Sequence, residues 1–297
     1  MTKKRNIPGL EKRKSKYDDL LKNNEHRDQD FRDDFEVYFK EEVFENEIIS
    51  KMLPEHKKSY DDGAGSELKE HTYKGKKLPP SMSSVASSSR FCYLSLKDSN
   101  LKVFGINNKN HNIKFEEKLP ILEDNEKGTP PHMDAFYEDE LSGYFFECKC
   151  HEQFDSHKIM LRKTYFDSDR IVTKIDKKYY LECNDDKYYK INPSAFGLVD
   201  NPRFDIKQFM THIMGIQKWI EKNKKKAVLI YFYFIPDNVL EEDDIKEVIN
   251  VLEEEISTIF CHSFFKQHAS NIEFKLFFQT SECVEEATIK NTKEKLK

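Results

Sequence analysis

Three residues within HMDAFYEDELSGYFFECKC (132–150) have the types and spacing for metal-assisted phosphate chemistry: Asp134, Glu147 and Lys149. Two apolar-rich runs, HMDAFYE (132–138) and GYFFECKC (143–150), flank Asp139-Glu140-Leu141-Ser142, a loop short enough to close a β-hairpin. Closed that way, residue 138 faces 143 and Asp134 faces Glu147. A tighter turn at Ser142-Gly143 ends the direct opposition but keeps both carboxylates on one sheet face, because side chains alternate with a period of two. Opposed Cβ atoms lie about 4.5–5.5 Å apart, so the two acids repel unless a cation lies between them. Mg²⁺ or Mn²⁺ suits the gap: Mg²⁺ takes hard oxygen ligands at about 2.0–2.1 Å and keeps several waters. Asp134, Glu147 and the backbone carbonyl of Cys148 are the candidate protein ligands. Lys149, two residues beyond Glu147, points to the same face, where an ammonium can hold a water or meet developing negative charge.

The elements around this hairpin follow from hydrophobic period. Phe31, Phe35, Tyr38, Phe39, Val43, Phe44 and Ile48 recur at helical spacing over 29–49. Residues 54–81, rich in Lys, Gly, Ser and Pro, read as loop, and SMSSVASSSRFCYLSL (81–96) is ambiguous between helix and coil. NIKFEEKLPIL (112–122) contains a strand that precedes the hairpin, and KKYYLECNDDKYYKI reads as a small second hairpin. Helical periodicity returns over 205–222 and 243–261, separated by the continuously apolar AVLIYFYFI (227–235), the pattern of a strand covered on both faces. NIEFKLFFQ (271–279) is a last strand. The order predicts an α/β fold, a mixed β-sheet flanked by helices with an N-terminal helical extension. Residues 1–60 are expected to form a basic lead and helical arm, and 61–297 the main domain.

Composition narrows the class. Charged residues are 35% of the chain, but 23 Phe and 14 Tyr exclude a disordered polyelectrolyte. A formal net charge of -5 argues against a nucleic-acid coat protein and leaves room for a local phosphate-binding field. The N-terminal MTKKRNIPGLEKRKSK carries no apolar run behind its charges, so a cytoplasmic protein without membrane contact is expected. Cys148 and Cys150 lack zinc-ligand spacing and a second pair, so the six cysteines read as free thiols.

A strand bearing Asp followed by a strand bearing Glu-x-Lys, within this element order, resembles the PD-(D/E)xK nuclease superfamily over about residues 81–235. The resemblance implies an αβββαβ core, a restriction-endonuclease-like fold, and Mg²⁺-dependent hydrolysis of phosphodiesters, with double-stranded DNA as substrate and restriction or phage defence as biology. It places the two acids on Asp134 and Glu147 and the lysine on Lys149. GAGSEL followed by LPPSM and a serine cluster is similar to a group of bacterial restriction endonucleases. Met133 stands where the motif's proline falls. The superfamily's further acid from the preceding helix has no counterpart in 81–96, and Glu67 is the nearest substitute. A homodimer or a partner subunit is expected where both strands are cut.

Other residues admit plainer readings. Lys207-Gln208 opens the helix after the hairpin, where related enzymes often place a polar residue near the phosphate; a solvated first turn is the simpler alternative. Lys222 and Lys224–Lys226 suit a helix C-terminus, and His132 and His151 suit a surface. Ser87–Ser89 lack a nucleophile elbow and suit packing or capping. Against the nuclease stand a catalytically inactive nucleic-acid-binding or scaffold subunit on the same fold, and a structural or interaction protein in which the acids are surface charges; a salt-bridged strand face alone would also explain Glu147 and Lys149.

Overall fold

Two sequence periods, near 3.6 and near 2, sort the chain into helices and strands that bury a shared aromatic core. The computed structural model describes residues 32, 38–63, 66–73, 75–97, 101–106, 112–119, 130–150, 152–154, 159–163, 177–182, 186–200, 202–235, 242–280 and 284–286. The helices are α1 (Glu41–Glu47), α2 (Pro54–Asp62), α3 (Ser88–Leu96), α4 (Ile206–Asn223), α5 (Glu242–Cys261) and α6 (Ser263–His268). The strands are β1 (His71–Tyr73), β2 (Lys76–Leu78), β3 (Lys114–Lys118), β4 (His132–Glu138), β5 (Ser142–Lys149), β6 (Met160–Arg162), β7 (Tyr180–Glu182), β8 (Tyr188–Ile191), β9 (Lys226–Phe234), β10 (Ile272–Gln279) and β11 (Val284–Glu286).

The main sheet is mixed, in the order β11-β10-β9-β5-β4-β3. β3, β4 and β5 form an antiparallel meander; β9 then pairs parallel with both β5 and β10. β9 is therefore central, and seven of its nine residues are buried in an unbroken run, as its apolar sequence requires. β6, β8 and β7 make a separate three-stranded sheet in the segment between β5 and α4, with β7 and β8 forming the small second hairpin.

Helices cover both faces. On one, Phe91 of α3 packs on Phe232 and Phe234, and Phe104 sits against Phe146, Phe232 and Phe277. On the other, α4 brings Trp219 onto Phe136 and Phe145, and Phe209 onto Tyr231. Asp205 caps α4 by accepting from the Gln208 N–H, and Lys224 ends it in the left-handed region. No helix among the described residues is long and apolar enough to cross a membrane.

The N-terminal half departs from expectation in two places. The helical pattern over 29–49 starts its helix only at Glu41: Tyr38 bridges to Ser84 and the Phe39 N–H donates to the Ser83 carbonyl. Most of 29–37 lies outside the described residues. Residues 54–81 are not all loop. Pro54 opens α2 at a first-turn position that suits it, and Tyr60 from that helix stacks on Phe115. Tertiary packing supplies what the polar sequence of α2 lacks. The Ser-rich segment resolves into a helix from Ser88, with Ser87 as its cap.

Candidate active site

The hairpin closes as the four-residue loop requires. Glu138 pairs with Gly143, and the register runs through Tyr137–Tyr144 and Phe136–Phe145 to Ala135–Phe146. Gly143 is required where Trp219 crosses: a Cβ there would lie 2.5 Å from the indole. The ladder stops one step short of Asp134 and Glu147. Instead of facing Glu147 across a regular pair, Asp134 turns its carboxylate to the strand and accepts the Cys148 N–H at 2.7 Å. β5 continues beside β9 as far as Lys149–Tyr233. The polar residues thus sit where β4 and β5 part and β5 stays pinned to the central strand.

Lys149 Nζ donates to Glu147 Oε1 at 2.5 Å and to Gln208 Oε1 at 2.7 Å. These contacts join the hairpin to the first turn of α4 through Gln208. Glu147 is 2% exposed, and its second oxygen, Oε2, has no hydrogen-bond partner. His212, one turn along α4 from Gln208, places Nε2 3.7 Å from that oxygen and Nδ1 3.4 Å from the Tyr231 hydroxyl. Burial and the Lys149 ammonium push His212 down to about 3, so the ring is neutral and its contact with Glu147 is not an ion pair.

The carboxylates are held above their ordinary range. Burial raises Glu147 to about 7 even though the Lys149 ammonium opposes the shift. Asp134 rises well above the usual value through burial, then through repulsion from Glu147 and Glu116, with Lys149 and the Cys148 N–H acting against them. Lys149 is driven up by Glu147, Glu152 and Asp134, which outweigh its own burial. Two acids that resist ionisation, one with a bare buried oxygen, are what a hard cation relieves.

Glu116 is the residue that sequence reading missed. In the β3–β4 register it falls across from Asp134, between the pairs Phe115–Ala135 and Glu117–Met133. Its φ of 52° is unusual for a side-chain-bearing residue and re-aims the carboxylate. It lies 3.3 Å from His132 Nδ1, and Gly63 leaves no room for a Cβ against it. Burial and the neighbouring Glu67 hold Glu116 above the usual range, against the pull of His132. The signal in the sequence was its position opposite Asp134; the backbone twist that makes it an inward acid was not legible. Glu67, offered as an auxiliary acid, is buried with Oε2 unpartnered and lies on the Glu116 side of the site. His132 is largely buried against Glu116, not a surface residue, and His151 lies outside the described residues.

Cys148 points away from Lys149, against Cys92, and Cys92, Cys148 and Cys150 are free thiols. Ser88 ties α3 to the end of β5: its hydroxyl donates to Glu152, which also accepts the Cys150 N–H at 2.9 Å. Among the described residues no group of three or more His, Cys, Asp or Glu side chains is placed to hold a metal ion. Asp134 and Glu147 supply two carboxylates, oxygen donors of the kind a hard cation takes, and other oxygens would have to complete its shell. No family model matches the chain, and neither a curated protein nor a solved structure matches it.

Proposed function

We propose that the chain is a metal-dependent phosphodiesterase of the PD-(D/E)xK type, an endonuclease acting on DNA in restriction or phage defence. The observation that carries this reading is the meeting of Asp134, Glu147 and Lys149 at the parting of β4 and β5, with Gln208 on the lysine. The order α3, β3-β4-β5 meander, α4, β9, with β9 parallel to β5, is in keeping with the αβββαβ core of a restriction-endonuclease-like fold.

Asp134 and Glu147 would hold Mg²⁺ or Mn²⁺, with the Cys148 carbonyl as a further candidate ligand. When bound, the ion supplies Lewis-acid polarisation of a phosphate oxygen and lowers the pKa of a coordinated water. The chain's own residues do the rest. The Cys148 N–H fixes one oxygen of Asp134. Glu147 gives up its proton near neutral pH, so the ligand set is complete only above about 7 unless a cation displaces that proton. An ammonium has three donors, and Lys149 spends two on Glu147 and Gln208. The third is left for the attacking water or the charge that builds on the phosphate. Because Lys149 keeps its proton, it acts as a donor and electrostatic partner, not as the base.

Plasmid cleavage with Mg²⁺ or Mn²⁺ tests the reading. The intact chain should cut, and Asp134→Ala, Glu147→Ala and Lys149→Ala should each lose about 10³-fold in rate with unchanged circular dichroism. Full activity in all three variants would refute it. Nucleic-acid binding without cleavage would instead identify an inactive binding subunit.

A further inference from the structure

Beside the carboxylates, a groove of about 400 Å³ runs between β6, the start of β8 and the first two turns of α4. It opens on the site itself, because His132, Gln208 and His212 line it. One wall is apolar and aromatic, formed by Met160, Leu161 and Tyr188; Arg162 and Lys207 add two cations. Arg162 is exposed on β6, where it pairs with Tyr188 of β8. Lys207 lies in the first turn of α4, the end at which a helix disfavours cations. A lysine there has a reason if an anion is to be met. Its field already reaches the site, since Lys207 contributes to the lowering of His212. The acid of the groove, Asp205, accepts the Gln208 N–H as the cap of α4, and the two cations outnumber it. Among the described residues neither Arg162 nor Lys207 makes a salt bridge.

We propose that this groove holds one unpaired nucleotide of the substrate strand, next to the phosphate that is cut. Its phosphate lies between Arg162 and Lys207, and its base lies against Tyr188 and the Met160–Leu161 wall. The volume is that of a small-molecule pocket, enough for one nucleotide and too small for a duplex. A base can enter only by leaving its partner, which costs least where the strand is already single or mismatched. Stacking on an aromatic face and cations along the backbone are the usual means of holding such a strand. The proposal takes its place in a reaction from the phosphodiesterase reading, but the binding it predicts needs no cleavage.

The test is fluorescence anisotropy with the full-length Asp134→Ala chain and 5′-fluorescein-labelled 20-nucleotide DNA. Three probes are compared: the single strand, its perfect duplex, and the duplex with one central mismatch. The single strand and the mismatched duplex should bind at least tenfold tighter than the perfect duplex. Adding Arg162→Ala and Lys207→Ala should weaken them at least tenfold and reduce the salt slope by about 1. Tyr188→Ala should weaken them severalfold, and Tyr188→Phe should restore them. Equal binding of all three probes overturns the unpaired-nucleotide claim, and binding indifferent to Arg162 and Lys207 overturns the groove. If the unmutated chain cuts nothing while charge-dependent strand binding persists, the cleavage reading fails and the groove stands. If it cuts, and Arg162→Ala/Lys207→Ala cuts with unchanged KM, the groove fails and the cleavage reading stands.

Discussion

The β4–β5 hairpin has two halves made of the same two strands, and they are held by opposite means. Near the turn, Phe136 pairs with Phe145 under Trp219, and Tyr137 pairs with Tyr144 in the same regular register. At the far end the ladder stops, and side chains take over: Asp134 on the Cys148 N–H, Lys149 between Glu147 and Gln208. The apolar half lowers the free energy of the fold by burial. The polar half raises it, keeping two acids out of water above their ordinary pKa. Strain of this kind concentrates at functional sites, supported by rigid structure nearby. Substitutions in the turn half should therefore change stability and spare chemistry, and those in the site half should do the reverse.

The sharpest break of this contrast is Trp219→Ala. It empties the space over Phe136, Phe145 and Gly143, and about 3–5 kcal/mol should be lost in urea unfolding. Cleavage at a temperature where the variant stays folded should change little. A rate loss as large as that of Asp134→Ala would show that the halves are not separable.

The second effect is a pH dependence from the site half. Glu147 rises from 4.5 unfolded to about 7 folded, so the folded state binds more protons between those values. Its contribution is fully present below about 4.5 and is lost as pH rises through about 7, on the order of 3 kcal/mol. Asp134, also raised, adds in the same direction, and Lys149 stays charged throughout this window. Urea midpoints should thus be higher at pH 5 than at pH 8 in the unmutated chain, and the gap should narrow in Glu147→Gln to the part that Asp134 contributes. Mg²⁺ should stabilise more at pH 8 than at pH 5, because ligands must be ionised. A stability that rises over this interval without metal would contradict the buried-acid assignment.

Gly143→Ala comes next. The new methyl meets the buried indole, which should cost about 1–3 kcal/mol and leave activity intact below the melting range. Smallest is Gln208→Ala, which removes one acceptor from Lys149. A roughly tenfold drop in cleavage, about 1.4 kcal/mol, with unchanged melting would place Gln208 with the site half. A stability loss without a rate effect would move it to the scaffold.

Much of the main sheet was legible because its strands stand out as short apolar runs bounded by polar turns. HMDAFYE coincides with β4, AVLIYFYFI falls on β9, and the four-residue loop gives the observed pairing of Glu138 with Gly143. The polar α2 and the late start of α1 were not, since neither local propensity nor period dominates there. Tyr60 on Phe115, and Tyr38 beside Ser84, decide those segments through partners distant in sequence.

By itself the sequence determined that Asp134, Glu147 and Lys149 share a neighbourhood, because strand alternation and a short turn are local rules. Only the tertiary structure decided that Gln208 and His212 close over them from α4, that Glu116 turns inward on a positive φ, and that β6 and β8 wall a groove alongside. Those facts depend on which surfaces meet after the chain has folded, and contacts between distant segments leave no periodic mark on the residues that make them.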